Sequence, residues 1–231
     1  MEKLYTVKVT LSRIDGGIPA HPDVVANWLL SHEIEEESLE KKFAEGTLKE
    51  EEIEEQMEKI TNTFMVNEAG EPCIEARCVK AALKQAAGVM GLYAIPGLRE
   101  LLKEGTEVYQ MVDGKPATVP GLIPLRGDEI QVETKPMHCI GPQGPRTALK
   151  RVRYITNAKI EFAIRVLDRA ACVAAFPGSD KAKLRKQYNT FTLDAVRAIL
   201  EYVFKFTGLG ANRSTGCGKG FDLVIEEVTH A

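Results

Sequence analysis

From Gly208 to Phe221 the chain reads Gly-Leu-Gly-Ala-Asn-Arg-Ser-Thr-Gly-Cys-Gly-Lys-Gly-Phe. No other stretch limits the possible folds so strongly. Two Gly-x-Gly pairs are separated by five residues, Ala211 to Thr215. Glycine reaches positive φ and lets a second backbone come close. Successive N–H groups in such a turn can form an anion-binding nest, and Arg213 and Lys219 add positive charge to the same segment. Before it, Thr192 caps a predicted helix, Leu193–Phe206, with Val196, Ile199, Leu200, Val203 and Phe204 at helical spacing. After it, Phe221–Val228 reads as a strand. The order is helix, loop, strand. A P-loop or a dinucleotide fold needs strand, loop, helix, and no Ser or Thr follows Lys219. Both nucleotide readings are excluded.

The rest of the chain mixes strands and helices without strict alternation. Tyr5, Val7, Val9 and Leu11 alternate with Thr6, Lys8, Thr10 and Ser12, which predicts a strand over Leu4–Arg13, broken at Asp15-Gly16-Gly17. Pro22-Asp23 opens a short helix through Trp28 and Leu29. Short strands are expected at Thr63–Val66 and Cys73–Glu75, then a helix over Glu75–Met90 and another short one over Gly97–Lys103. Asp113-Gly114 signals a hairpin between Val108–Met111 and Ala117–Val119. Ile130–Thr134 reads as a strand and Lys135 to Pro145 as a loop. Lys159–Val166 is a second amphipathic strand, with Ile160, Phe162, Ile164 and Val166 on one face. The closing order β, α, glycine loop, β predicts an α+β chain. Its expected core is a ferredoxin-like, RRM-like antiparallel sheet in one domain over 1–231, with a helical insertion at 33–60.

Charge sharpens this picture. The net charge of the 231 residues is only −3. Yet Glu33–Glu58 holds 12 acidic and 3 basic residues, while Lys135–Gly220 holds 16 basic and 5 acidic. Basic charge gathered in one part can hold a polyanion despite an acidic total. The five cysteines are scattered without a metal or redox spacing, so they read as free thiols, and no metal or cofactor is expected. No apolar run approaches the length of a membrane span, and the N-terminus has no apolar signal core. The expected location is cytoplasmic, away from membranes.

The helix, glycine loop and hydrophobic strand at the C-terminus resemble the RAMP superfamily, the RNA-binding and RNA-processing proteins of CRISPR effector complexes. Ile74–Lys84 is similar to the helix that backbone-type RAMP subunits place after a short strand. Gly144-Pro-Arg-Thr-Ala-Leu-Lys-Arg-Val-Arg153, with the strand after it, resembles RAMP-like proteins of bacteriophages and mobile elements. The resemblance covers about half the chain, and the glycine loop is its specific part. It implies recognition of a single-stranded RNA backbone, or of DNA, and assembly with itself or with other RAMP-type subunits. The residues expected to bind nucleic acid are Lys80, Lys84, Arg146, Lys150, Arg151 and Arg153, together with Gly208, Gly210, Asn212, Arg213, Ser214, Gly216, Gly218 and Lys219. Tyr154 and Phe221 are candidate stacking platforms. The plain alternatives are a tight helix-to-strand joint for the loop and solvated surface charges for the cations.

Two other functions fit the same residues. One is a metal-independent RAMP endoribonuclease with a loop histidine, His21 or His138, as general acid or base. Asp15 and Asp23 are the corresponding pair for a metal-dependent cut. The other is an inhibitor whose acidic arm, Glu33–Glu58, mimics a polyanion. The balance favours a non-catalytic binder.

Overall fold

In a computed structural model of the protein, residues 2–19, 61–94, 98–141, 144–167 and 193–228 are described. The predicted helix after Pro22, the acidic arm, Asp23, His21 and the Thr192 cap lie outside the described residues. In chain order the elements are β1 (Glu2–Asp15), β2 (Ile18–Pro19), β3 (Asn62–Thr63), β4 (Met65–Val66), β5 (Pro72–Glu75) and α1 (Ala76–Val89). Then come α2 (Leu98–Glu104), β6 (Thr106–Val112), β7 (Lys115–Pro116), β8 (Leu122–Pro124), β9 (Gln131–Gly141) and β10 (Gly144–Leu167). The chain ends with α3 (Leu193–Tyr202), a π-turn (Val203–Thr207), a 3-10 turn (Arg213–Thr215) and β11 (Gly220–Val228). The protein is α+β with antiparallel sheet pairing dominant. It divides into two compact units.

The first unit holds Met1–Ile14, Met65–Glu129 and Ile155–Ala231. Its strands run in the order β11, β1, β10, β6, β7. β1 and β11 pair antiparallel from Leu4 opposite Val228 to Leu11 opposite Gly220, with an irregularity between Lys8 and Thr10. β10 and β6 pair antiparallel from Phe162 opposite Gln110 to Val166 opposite Thr106. The alternation seen in the sequence is the burial pattern. Tyr5, Val7, Val9 and Leu11 are buried, as are Ile160, Phe162, Ile164 and Val166. α1 contributes Val79, Leu83, Ala86 and Ala87 to the core, and α3 with its π-turn contributes Val196, Ile199, Leu200, Val203 and Phe204. α1 packs on β6 and on α3. Leu4, Tyr109 and Ala163 form a smaller apolar cluster with Met111 and Val228. A short antiparallel sheet, β4-β5-β8, completes the unit.

Turn chemistry fixes the connections. Asp113 (φ 50) and Gly114 (φ 73) both lie in the left-handed region, which is the type I′ geometry that matches strand twist. The hairpin they make is tighter than expected, because β7 is Lys115–Pro116 and not Ala117–Val119. Near the start of the buried half of β10, Asn157 takes φ 49. The Asp128 carboxylate accepts hydrogen bonds from Thr156 Oγ1 at 2.6 Å and Asn157 Nδ2 at 2.8 Å. These two donors hold its carboxyl below the usual carboxylate range.

The second unit holds Asp15–Phe64 and Ile130–Tyr154. Here the structure corrects the sequence reading. The expected loop from Lys135 to Pro145 is instead a long hairpin. β9 and β10 pair antiparallel from Gln131 opposite Tyr154 to Gly141 opposite Gly144. Pro136 and Pro145, and a sequence without an apolar alternation, disguise the strands. β3 pairs with β10 at Val152, in parallel, and β2 pairs with β3. Gly16 donates its N–H to the Arg153 carbonyl at 2.8 Å. A Cβ there would sit 2.5 Å from the Thr63 carbonyl, so only glycine fits.

Tyr5 tests the packing of the first unit. Its hydroxyl is buried and finds no hydrogen-bond partner among the described residues. Burial pushes its pKa up to about 12, with Glu227 adding to the effect. The neutral phenol is therefore favoured in the fold, and stability falls as pH rises from the unfolded value of ~10 towards 12. Tyr5→Phe is expected to keep or raise stability at neutral pH by up to about 1 kcal/mol, since an unsatisfied buried hydroxyl is costly. It is also expected to flatten the alkaline loss. Thermal melts from pH 7 to pH 11 check this, and a clear drop in Tm for the variant at pH 7 would show a hydroxyl partner.

Candidate nucleic-acid interface

The glycine-rich segment is a built structure. The π-turn closes when Gly208 donates its N–H to the Val203 carbonyl at 2.7 Å. Leu209 then donates to the Gly218 carbonyl at 3.0 Å, so the two ends of the loop cross. Gly218 donates in turn to the Arg13 carbonyl at 2.6 Å, and the Lys219 carbonyl accepts from Ser12 N–H at 2.9 Å and from Ser12 Oγ at 3.1 Å. The loop is strapped to the end of β1 before β11 begins.

The crossing explains two glycines. At Gly208 (φ +72) a Cβ would stand 2.4 Å from the Cys217 carbonyl oxygen, and at Gly218 (φ +74) 1.9 Å from that of Leu209. Gly216 is different: its φ is +94, but a Cβ there meets nothing within 4 Å. Between the straps, Asn212 takes φ 54 and starts the 3-10 turn. Thr215 N–H and Oγ1 both donate to the Asn212 carbonyl, at 3.0 and 2.7 Å, and Gly216 N–H donates to that of Arg213. Arg213 extends to α1, where its Nη1 donates to Gln85 Oε1 at 2.8 Å.

An open groove of about 680 Å³ lies along this loop. Its walls are Gln85 and Val89 from α1, Tyr202 from α3, Phe206 and Thr207 from the π-turn, and Gly210, Asn212, Arg213 and Ser214. None of these lining residues is acidic. Val89 and Phe206 are 65 % and 55 % exposed, unusual for large apolar side chains in one place. The Tyr202 and Phe206 rings lie 5.0 Å apart at a tilt of 44°, and Lys205 Nζ is 5.4 Å from the Phe206 centroid.

Of the sequence candidates, Gly210, Asn212, Arg213 and Ser214 line the groove. Gly208 and Gly218 sit at the backbone crossing, and Gly216 faces open space. The Lys219 side chain is half-buried beside its engaged carbonyl. Lys80 and Lys84 are half-buried on α1, and desolvation lowers the Lys80 pKa, with Glu107 opposing. Arg146, Lys150, Arg151 and Arg153 all fall on β10 in the second unit; Arg146 and Lys150 have one strand parity, Arg151 and Arg153 the other. His138 is not in a loop but in β9, opposite Thr147, because the hairpin absorbs the segment. Asp15 is buried. Phe221 is 45 % exposed, and the Tyr154 hydroxyl donates to Gln131. Cys73 and Cys217 are buried and Cys78 exposed, none of them in a disulfide. The described residues contain no cluster able to hold a metal.

Sequence reasoning missed Gln85, Lys205 and the Tyr202/Phe206 pair. Tyr202 and Phe206 are four apart and end a helix just before a glycine, so their proximity was visible in principle. Their exposure was not.

No family model and no curated protein matches the chain. Among solved structures, the fold is similar to a chain of type III-B Cmr-beta, determined by cryo-EM bound to cognate target RNA. The TM-score is 0.51 at 11 % identity, with 97 % of this chain and 60 % of that chain covered. The likeness is one of fold, and this chain spans about 60 % of its neighbour's length. No helix of the described residues is long and apolar enough to cross a membrane.

The loop geometry makes unequal demands on its glycines. Gly218→Ala is expected to lower stability by at least about 3 kcal/mol or to prevent folding, since a backbone atom blocks the Cβ. Gly216→Ala is expected to lose only about 1 kcal/mol, the cost of positive φ in open space. Denaturant melts of the two variants give the comparison, and equal stabilities would rule out the crossing.

Proposed function

We propose that the protein binds single-stranded RNA along its backbone, as a RAMP-like subunit of a CRISPR-like or phage-encoded assembly. Three features support the fold part of this reading. The elements β1, α1, β6, β10, α3 and β11 follow a β-α-β-β-α-β order, and their strands lie fourth, first, third, second across the sheet. A ferredoxin-like core has this order, which supports that reading. A glycine loop joins its last helix to its last strand. The neighbour of similar fold was solved with target RNA bound. In this reading the first unit is the RAMP-like body, and 33–60 is an acidic insertion.

The observation that carries the function is the way Arg213 is held. A loop strapped at both ends fixes its guanidinium against Gln85, at the edge of an open groove whose described walls hold no acidic residue. A fixed cation beside a neutral amide keeps its charge available to a phosphate. Lys205 and Lys219 stand on either side of it in sequence, and Lys80 and Lys84 add charge on α1. As a separate set, Arg146, Lys150, Arg151 and Arg153 on β10 of the second unit are the remaining cations of this reading.

The test is fluorescence anisotropy with a labelled single-stranded oligoribonucleotide over a range of salt, with Arg213→Glu/Lys219→Glu in parallel. Affinity is expected to fall steeply with salt. The double variant should lose at least about tenfold at low salt, with a slope shallower by ~0.7 for each phosphate it no longer neutralises. A wild type that does not bind at low salt, or a double variant that binds equally well, would overturn the proposal. An equal preference for the matching DNA would remove RNA from it.

A further inference from the structure

The groove beside the glycine loop carries more than charge. α3 buries Val196, Ile199 and Leu200, and the π-turn after it buries Val203 and Phe204, while Tyr202 is half-buried on the groove. The π-turn then adds one residue to the helical repeat, closing through the bond from Gly208 to Val203. Such insertions recur at functional sites. Phe206 lies within this turn, on the surface. Phe206 is 55 % exposed, with Tyr202 against it at 5.0 Å and Val89, itself 65 % exposed, on the same groove. An apolar platform of this kind gains by being covered.

What covers it is indicated by its surroundings. A wholly apolar partner would have to bury the Lys205 ammonium, which lies over the Phe206 ring at 5.4 Å from its centroid, and the Arg213 guanidinium, with no carboxylate among the described residues of the groove. A flat aromatic heterocycle carrying a phosphate satisfies both parts. Its ring stacks on Phe206, the exposed Lys205 ammonium moving off the ring to meet the phosphate with Arg213. The hydrogen-bonding edge of the ring faces a rim of amide and hydroxyl groups, Asn212 and Ser214. The groove is open and not a closed pocket, so a chain can pass through it.

We infer that the Phe206 platform, with Tyr202 against it, the Lys205 ammonium over its ring and Arg213 on the same groove, is a stacking subsite for one unpaired nucleobase of single-stranded RNA. This rests on the RNA-binding reading above and adds a base contact to its backbone contacts. Base–aromatic stacking tolerates any base, because each has a π-face. The subsite is therefore expected to be insensitive to sequence and to leave the salt dependence of binding unchanged.

The experiment uses an oligouridylate carrying 5-iodouridine, irradiated in complex with the full chain, and anisotropy titrations with Phe206→Ala and Phe206→Trp. Phe206 is exposed, so neither variant should disturb folding, which circular dichroism checks. The crosslinked peptide is expected to contain Tyr202 or Phe206. Phe206→Ala is expected to weaken binding roughly tenfold with an unchanged salt slope, and Phe206→Trp to restore it. An oligomer of abasic residues of the same length should bind wild type and Phe206→Ala alike. RNA binding that persists with crosslinks elsewhere and with full affinity in Phe206→Ala would overturn the subsite alone, and would leave the aromatic pair as a protein-contacting patch. Absence of RNA binding by the wild type would overturn both the subsite and the reading on which it rests.

Discussion

One backbone crossing governs the C-terminal third of the first unit. Leu209 donates to the Gly218 carbonyl, and Gly218 donates to that of Arg13. Each bond contributes only about 1 kcal/mol net, but their joint effect is geometric. They bring the exit of α3, the entry of β11 and the end of β1 to one point. Eight residues, Gly210 to Cys217, are pinched off as a loop whose ends cannot separate. Its 3-10 turn and its left-handed residues Asn212 and Gly216 then fix where Arg213 begins. A side chain at Gly208 or Gly218 would force the strands apart at the place where β11 enters the sheet.

The core strands were legible because their environment is written into them. β1 and the second half of β10 each present one face to α1 and α3, and their apolar residues alternate accordingly. The hairpin of β9 and β10 was not legible for the same reason. At Gln131, Val132 and Thr134 both faces of β9 are exposed, and Val132 is 44 % accessible. A strand without a buried face has no period to show. Pro136 and Pro145 then imitate a loop, although each stands within a paired register, opposite Leu149 and Ile140. The α1 helix and the Asp113-Gly114 turn depend on local preferences, and both were found.

The site shows a similar division. The glycine loop announced itself by composition, and the helix–loop–strand order excluded the nucleotide folds. Composition did not distinguish Gly218, blocked by the Leu209 carbonyl, from Gly216, which faces open space. That difference is set by which backbone crosses which. The pairing of Arg213 with Gln85 spans 128 positions of sequence and is purely tertiary. Phe206 was counted into the helix because apolar spacing assumes 3.6 residues per turn, and a π-turn breaks that count without leaving a mark in the sequence.

A second concavity in the first unit differs from the glycine loop in how its cations are paired. It encloses about 300 Å³ and is lined by Lys8, Arg126 and Lys159, but also by Glu161 and Asp222. Lys8 Nζ is 3.2 Å from Glu161, and Arg126 Nε is 3.2 Å from Glu71. An incoming phosphate would have to compete with carboxylates already in place and would be repelled by them. At the glycine loop the partner of the guanidinium is the neutral oxygen of Gln85, and none of the described residues lining the groove is acidic. Gln85 orients the cation without cancelling it. Counting lysines and arginines would rank the sheet concavity above the loop. Counting charge held against a neutral partner among the described residues reverses the order, and Arg213 shares its groove with the Tyr202/Phe206 pair.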